Sequence, residues 1–335
     1  MRLNTIPDLK ALSRSTLHTV PSNDASDLVA RAPVVHLSMR DRLRNTVAPA
    51  ALALLSPTYR QRAFRSTPDY PFDRIALDGR FALRATEQRF WRLARKIEVK
   101  RVLAVGTAGG DGDSAYFARH TSAEFHGIEY HNFRKHWDNL AKARKKTYQR
   151  DFFFHQMSVN QLTFPTAYFD LVNSSAVLEH LVDFDVAVDN IARVMRSGGL
   201  AMHTFGPLFF AYGGDHCAST LGPDHGYDHL LLDETAYQAT VKQICELPGG
   251  DCAYWAKVGF FSYLKISEYF TSLARYFDFE FVVASVPSAA PRFRATHARE
   301  WLAMQLSGAS ETDLLVDGIF IILRRNDRAV SQQPT

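Results

Sequence analysis

Arg101-Val102-Leu103-Ala104-Val105-Gly106-Thr107-Ala108-Gly109-Gly110-Asp111-Gly112 is the stretch whose reading decides the fold. Five residues of strand character run into a glycine-rich turn, and a helix is expected behind it from about 113 to 120. Glycines in such a turn let backbone approach a ligand closely. The helix N-terminus adds unsatisfied N–H groups and the positive end of a dipole. Glu129 ends the next apolar run, 19 residues past Gly110. A carboxylate there can accept hydrogen bonds from both hydroxyls of a ribose. A nicotinamide dinucleotide fold begins the same way, so turn and acid leave both cofactor types open.

Working outward, the alternation of elements continues. Strands are expected at 124–128, 152–156, 170–173 and 200–204, and helices at 131–146 and 183–196. A helix at 266–276 and strands at 277–286 and 318–325 complete the pattern. Short apolar strands alternating with helices predict a doubly wound, mostly parallel α/β sheet covered on both faces. Residues 206–264 interrupt it with Gly213-Gly214, Pro223, Pro248-Gly249-Gly250 and many aromatics, and read as a cap inserted over the active-site edge. The segment 288–317 is longer than a hairpin loop needs and is expected to add a small helix or to contribute to an interface. Upstream, residues 1–30 are polar, 36–66 read as one or two helices, and 80–97 have helical spacing and lead into the core. The domain reading is a basic, helical extension at 1–95 and a catalytic domain at 96–330.

Two later segments separate the cofactor alternatives. Phe169-Asp170-Leu171-Val172-Asn173-Ser174-Ser175-Ala176-Val177-Leu178-Glu179-His180 is followed by Arg193-Val194-Met195-Arg196-Ser197-Gly198-Gly199-Leu200. In this order, with the glycine turn and Glu129, they resemble the class I S-adenosylmethionine-dependent methyltransferases. The resemblance covers 98–205 well and 265–325 loosely. It implies a seven-stranded Rossmann-like sheet and S-adenosylmethionine as cofactor. It places the cofactor on Val105, Gly106, Thr107, Ala108, Gly110, Glu129, Tyr130, Ser158, Val159, Asn173 and Ser174. The chain departs from the family pattern at Ala104, where an acid is common, at Ala108, the middle glycine position, and at Ser158, where an acid often reads the adenine amino group.

Methyl transfer to oxygen needs a positioned nucleophile and a base, and a neutral histidine suits the second role. His180 lies just past the fourth expected strand and reads as pocket-lining or as the base. The segment from Tyr212 to Leu232 holds His216, His225 and His229 with Asp215, Asp224 and Asp228. Three readings stay open for it: a base at His216 supported by His229 or an aspartate, a divalent metal bound by His225 and His229 four residues apart, or a hydrogen-bond network that folds the cap. No metal is assigned. Its Gly-x-His followed by His-Leu is similar to methyltransferases of sugars and secondary metabolites. That similarity points to an O-methyltransferase of a hydroxylated small molecule or glycan. N- or C-methylation of another metabolite, a nicotinamide oxidoreductase, and a methyltransferase-like binding protein without activity are the competing readings.

The 335 residues suffice for one or two packed domains. Cys217, Cys245 and Cys252 make neither a disulfide framework nor a paired-cysteine zinc site, which fits a cytoplasmic setting. No run approaches a membrane span, and the N-terminus lacks a secretory pattern. Residues 1–100 carry 18 Lys+Arg against 9 Asp+Glu, a net +9 in a chain of net +4. The arginines are scattered, so a solvated surface is expected rather than a nucleic-acid groove, although a basic arm that holds RNA is the other reading. A homo-oligomer is left open.

Overall fold

The computed structural model describes residues 24, 26, 72–77, 79–246 and 261–327. The helices expected at 36–66, most of the N-terminal arm, and residues 247–260 of the cap lie outside the described residues. Eight strands form one sheet: β1 (Arg74–Ala76), β2 (Arg101–Val105), β3 (Glu124–Glu129), β4 (Phe152–Gln156), β5 (Phe169–Ser175), β6 (Met195–Phe205), β7 (Phe277–Ser285) and β8 (Gly318–Arg325). Their order is β1-β7-β8-β6-β5-β2-β3-β4. β8 runs antiparallel to β6 and β7, and every other pair is parallel.

The expected count of seven strands is corrected to eight. The addition is β1, which pairs with β7 through Arg74–Val283 to Ala76–Ser285. Three residues are too short a run for alternation to declare itself. The segment 288–317 forms three short helices, taken up below.

Strand alternation divides the core in two. Leu103 and Val105 of β2 point to one face, with Ile128, Val172, Ala201 and Ile321. The helix α4 (Phe184–Val194) covers that face through Ala187, Val188 and Ile191, with α7 (Ile266–Ala274) beside it. Val102 and Ala104 point to the other face, with Phe125, Leu171, Leu200 and Ile322. There the helix α1 (Gly79–Ala94) buries Phe90, Trp91 and Leu93, and α2 (Asp111–His120) buries Phe117. α1 therefore lies on the sheet, against β6, β7 and β8. α3 (Arg134–Tyr148) connects β3 to β4.

The cap between β6 and α7 holds α5 (Asp228–Leu231) and α6 (Glu234–Cys245). α8 (Ala289–Thr296), α9 (Ala298–Leu306) and α10 (Glu311–Leu315) fill the connection from β7 to β8. Among the described residues, no helix is long and apolar enough to cross a membrane.

Candidate active site

The carboxyl ends of β2 to β6 form one edge of the sheet, where ligands of open α/β folds bind. The eleven residues assigned to a cofactor fall along it. Val105 is buried at the end of β2. The N–H groups of Gly106 and Thr107 donate to the Ile128 carbonyl, at 2.9 and 3.0 Å, tying the turn to β3. Gly106 has φ +70°, and a Cβ on it would lie 2.2 Å from Val177 Cγ2. The missing side chain lets the loop after β5 close onto the turn. Gly106→Ala is therefore expected to cost about 2–4 kcal/mol from the left-handed backbone and the overlap. Denaturant midpoints of the two proteins measure that loss.

Glu129 holds the other side of the turn. Its Oε2 accepts from the Ala108 N–H at 2.9 Å, and its Oε1 accepts from the N–H groups of Tyr130 and His131, at 2.8 and 3.2 Å. The carboxylate is thus fixed between the turn and the loop after β3, with lone pairs remaining for a diol. Ala108 sits in the left-handed region at φ 45°. Its carbonyl accepts from Trp137 Nε1 at 2.9 Å, so the turn is also anchored to α3. Ser158 caps the short turn Val159–Gln161 by accepting from the Asn160 N–H at 3.2 Å, and Val159 is buried beneath it.

Two acids flank the glycine turn that sequence reading did not single out. Asp111 and Asp113 occupy the first turn of α2. Asp113 accepts from Thr107 Oγ1 at 3.0 Å and from Asn173 Nδ2 at 3.5 Å, and burial raises its pKa. Asp111 pairs with His136 at 2.6 Å. A pyrophosphate placed at this helix N-terminus would meet both carboxylates. A cofactor with positive centres is favoured by them. This charge pattern was present in the sequence as acids at 111 and 113, directly after the glycines. Ser174, also assigned to the cofactor, shares a 2.7 Å hydrogen bond with His203, which burial holds neutral with a pKa of about 4.

The three histidines assigned to catalysis separate. The rings of His180 and His216 meet at 5.1 Å, and Phe261 packs against both, at 5.4 and 5.2 Å. His216 has φ 61° and donates from Nε2 to the Pro207 carbonyl at 3.2 Å. A carbonyl only accepts, so this bond fixes the tautomer in which Nδ1 is the basic nitrogen. Burial lowers the His216 pKa. His229 lies inside the cap instead, with its Nε2 donating to the Phe209 carbonyl at 2.7 Å and its Nδ1 4.0 Å from Asp215.

Asp215 is the hub of the cap. It accepts from the N–H groups of Cys217 and Ala218 and from the Tyr237 hydroxyl at 3.0 Å. His225 pairs with Asp228 at 2.8 Å, so the two histidines of the metal reading point to different partners. Among the described residues, no group of three His, Cys, Asp or Glu side chains is arranged to hold a metal.

Glu179 lies beneath His180 and is 1% exposed. Its Oε1 accepts from the Gly206 N–H at 3.0 Å, while its Oε2 has no partner. Burial pushes its pKa up to about 8. The folded state therefore holds a proton that the unfolded chain releases near the ordinary carboxyl value of 4.5. Stability from this group is full below that value and is lost as pH rises toward 8, on the order of 4 kcal/mol across the window. Glu179→Gln is expected to remove that loss: the variant's thermal midpoint should exceed the wild type's at pH 8.5 and not at pH 5. The sequence places Glu179 in the motif that ends at His180 but does not mark it as buried, because its burial depends on the loop closing over it.

Residues 103–202 match a family model described as "Methyltransferase domain". No curated protein matches the chain. Among solved structures, a methyltransferase dependent on S-adenosylmethionine from Mesorhizobium loti is 19% identical, with 72% of this chain and 98% of that one covered and a TM-score of 0.42. The N-methyltransferase NodS from Bradyrhizobium japonicum WM9 is 14% identical over 73% and 96%, at 0.39. Geranyl diphosphate C-methyltransferase from Streptomyces coelicolor A3(2) is 12% identical over 78% and 86%, at 0.43.

Proposed function

We propose, from the premise that the chain is a class I S-adenosylmethionine-dependent methyltransferase, that it methylates an oxygen atom of a hydroxylated small molecule or glycan. The observation that carries this reading is the His180–His216 pair at the carboxyl edge of the sheet, with burial lowering the His216 pKa and Pro207 setting its tautomer. An amine free of its proton needs no base, whereas an alcohol does.

The cofactor, when bound, supplies a methyl group on a sulfonium with a good leaving group. Its residues fit the edge described above. Glu129 would accept from the ribose hydroxyls, Tyr130, Ser158 and Val159 would line the adenine, and Val105 to Gly110 with Asn173 and Ser174 would face the methionine part. Asp113 supplies negative charge suited to its positive centres. His216 takes the acceptor's hydroxyl proton at Nδ1, and His180 orients the acceptor. Phe209, Phe261 and Tyr263, packed within 6.1 Å of one another, offer an apolar wall to a sugar face or an aliphatic ring.

A cytoplasmic setting belongs to the same reading. The test is incubation with isotopically labelled cofactor and paired panels of hydroxylated and amino acceptors. Label recovered as methyl ether supports the proposal, and label found only on nitrogen or carbon overturns it.

A further inference from the structure

The first turn of α3 cannot satisfy its own N–H groups. Its N-cap, Phe133, has no side chain that accepts a hydrogen bond. The Arg134 N–H donates to Asn132 Oδ1 at 3.0 Å. The next two N–H groups turn to residues far upstream: Lys135 donates to Asp24 Oδ2 at 3.3 Å, and His136 donates to Ser26 Oγ at 3.1 Å. A backbone bridge between Asp24 and Asn132 runs alongside. Asp24 and Ser26 are also bonded to each other, through the Ser26 N–H at 2.8 Å and through the hydroxyl, and these bonds hold the Asp24 carboxyl below its ordinary range. The pair therefore supplies in trans what a Ser or Asp N-cap normally supplies locally.

The same turn of α3 is the one that holds the cofactor edge. Trp137 donates to Ala108 in the glycine turn, His136 pairs with Asp111 at the start of α2, and the turn follows directly on Glu129, Tyr130 and His131. We propose that Asp24 and Ser26 are positioning residues for S-adenosylmethionine, acting through the first turn of α3 on the glycine turn. These two residues thereby have a role at the cofactor, independent of which acceptor is methylated.

The experiment is calorimetric titration of the full chain with S-adenosylhomocysteine. Asp24→Ala and Ser26→Ala are each expected to weaken binding about tenfold, and Ser26→Thr, which keeps the hydroxyl, to bind within about twofold of wild type. The route is tested with Trp137→Phe, which removes only the indole N–H. Asp24→Ala combined with Trp137→Phe should be clearly less than additive, because the first change already frees the turn that the second acts on. Unchanged affinity in both alanine variants overturns the proposal, and so does full additivity. In the unaltered chain, the homocysteine ligand should slow amide hydrogen exchange at residues 135 and 136. Unchanged exchange there overturns the proposal without any variant having to fold.

Discussion

Glu129→Ala is expected to weaken S-adenosylhomocysteine binding about 100-fold. A charged acceptor to two hydroxyls contributes about 3 kcal/mol beyond what water offers in its place, and that is about two decades of affinity. The structure adds a second reason. The same carboxylate restrains the Ala108, Tyr130 and His131 N–H groups, so its loss also loosens the turn under the ligand. Glu129→Gln separates the two effects. It keeps one acceptor oxygen for the Ala108 N–H but loses the charge, and about tenfold weaker binding is expected. Calorimetry on both variants, with thermal midpoints as a check on folding, measures this. A change under threefold in the alanine variant would show that the ribose is held elsewhere.

His216→Asn should lower turnover about 1,000-fold, within the range for loss of a positioned base. Asparagine is chosen because it tolerates the left-handed backbone that His216 adopts. Affinity for S-adenosylhomocysteine should stay within about twofold, since the His216 partners Pro207 and Phe261 are not among the residues assigned to the cofactor. The pH dependence carries its own sign. Burial lowers the His216 pKa, so the neutral, base-competent form persists to lower pH than for an ordinary histidine. Turnover should therefore be flat through pH 7 and fall only on acidification below the usual histidine range. Activity that still rises between pH 7 and 9 would assign proton removal to another group, and an unchanged rate in the variant would remove His216 from the chemistry.

Much of the sheet was legible in the sequence because its strands are buried on both faces. Runs such as Val102 to Val105 and Ile319 to Leu323 carry no solvent-facing position, so continuous apolar character marks them. The bounds of β2 and β8 coincide with the expected ones for that reason, and those of the edge strand β4, half-exposed, coincide because its run of three phenylalanines marks it. β1 was not placed, and of α8 to α10 only a small helix somewhere in 288–317 was expected, because elements of 3, 8, 9 and 5 residues are short of the window periodicity needs. The glycine turn and Glu129 were visible because they are local. The His180–His216 pair, the buried Glu179 and the borrowed cap from Asp24 and Ser26 were not, since each depends on segments that only the fold brings together.

The cap around Asp215 is wired differently from the rest of the molecule. Its bonds are short in sequence: Asp215 reaches 2 and 3 residues to Cys217 and Ala218 and 22 to Tyr237, and Tyr212 reaches 11 to Pro223. The sheet is stitched by long ones, as from Asp170 to Lys100 and Arg101, 70 and 69 residues away. Short loops close at low entropic cost and form and open together as a unit. The polar wiring of the cap is thus local, whereas its apolar side chains Leu208, Phe210, Ala211 and Tyr227 pack into the same core as the sheet, and Tyr227 bonds to the Leu314 carbonyl in α10. Substitutions that break these local bonds are expected to loosen the cap first and to reach the sheet only through the apolar core the two share.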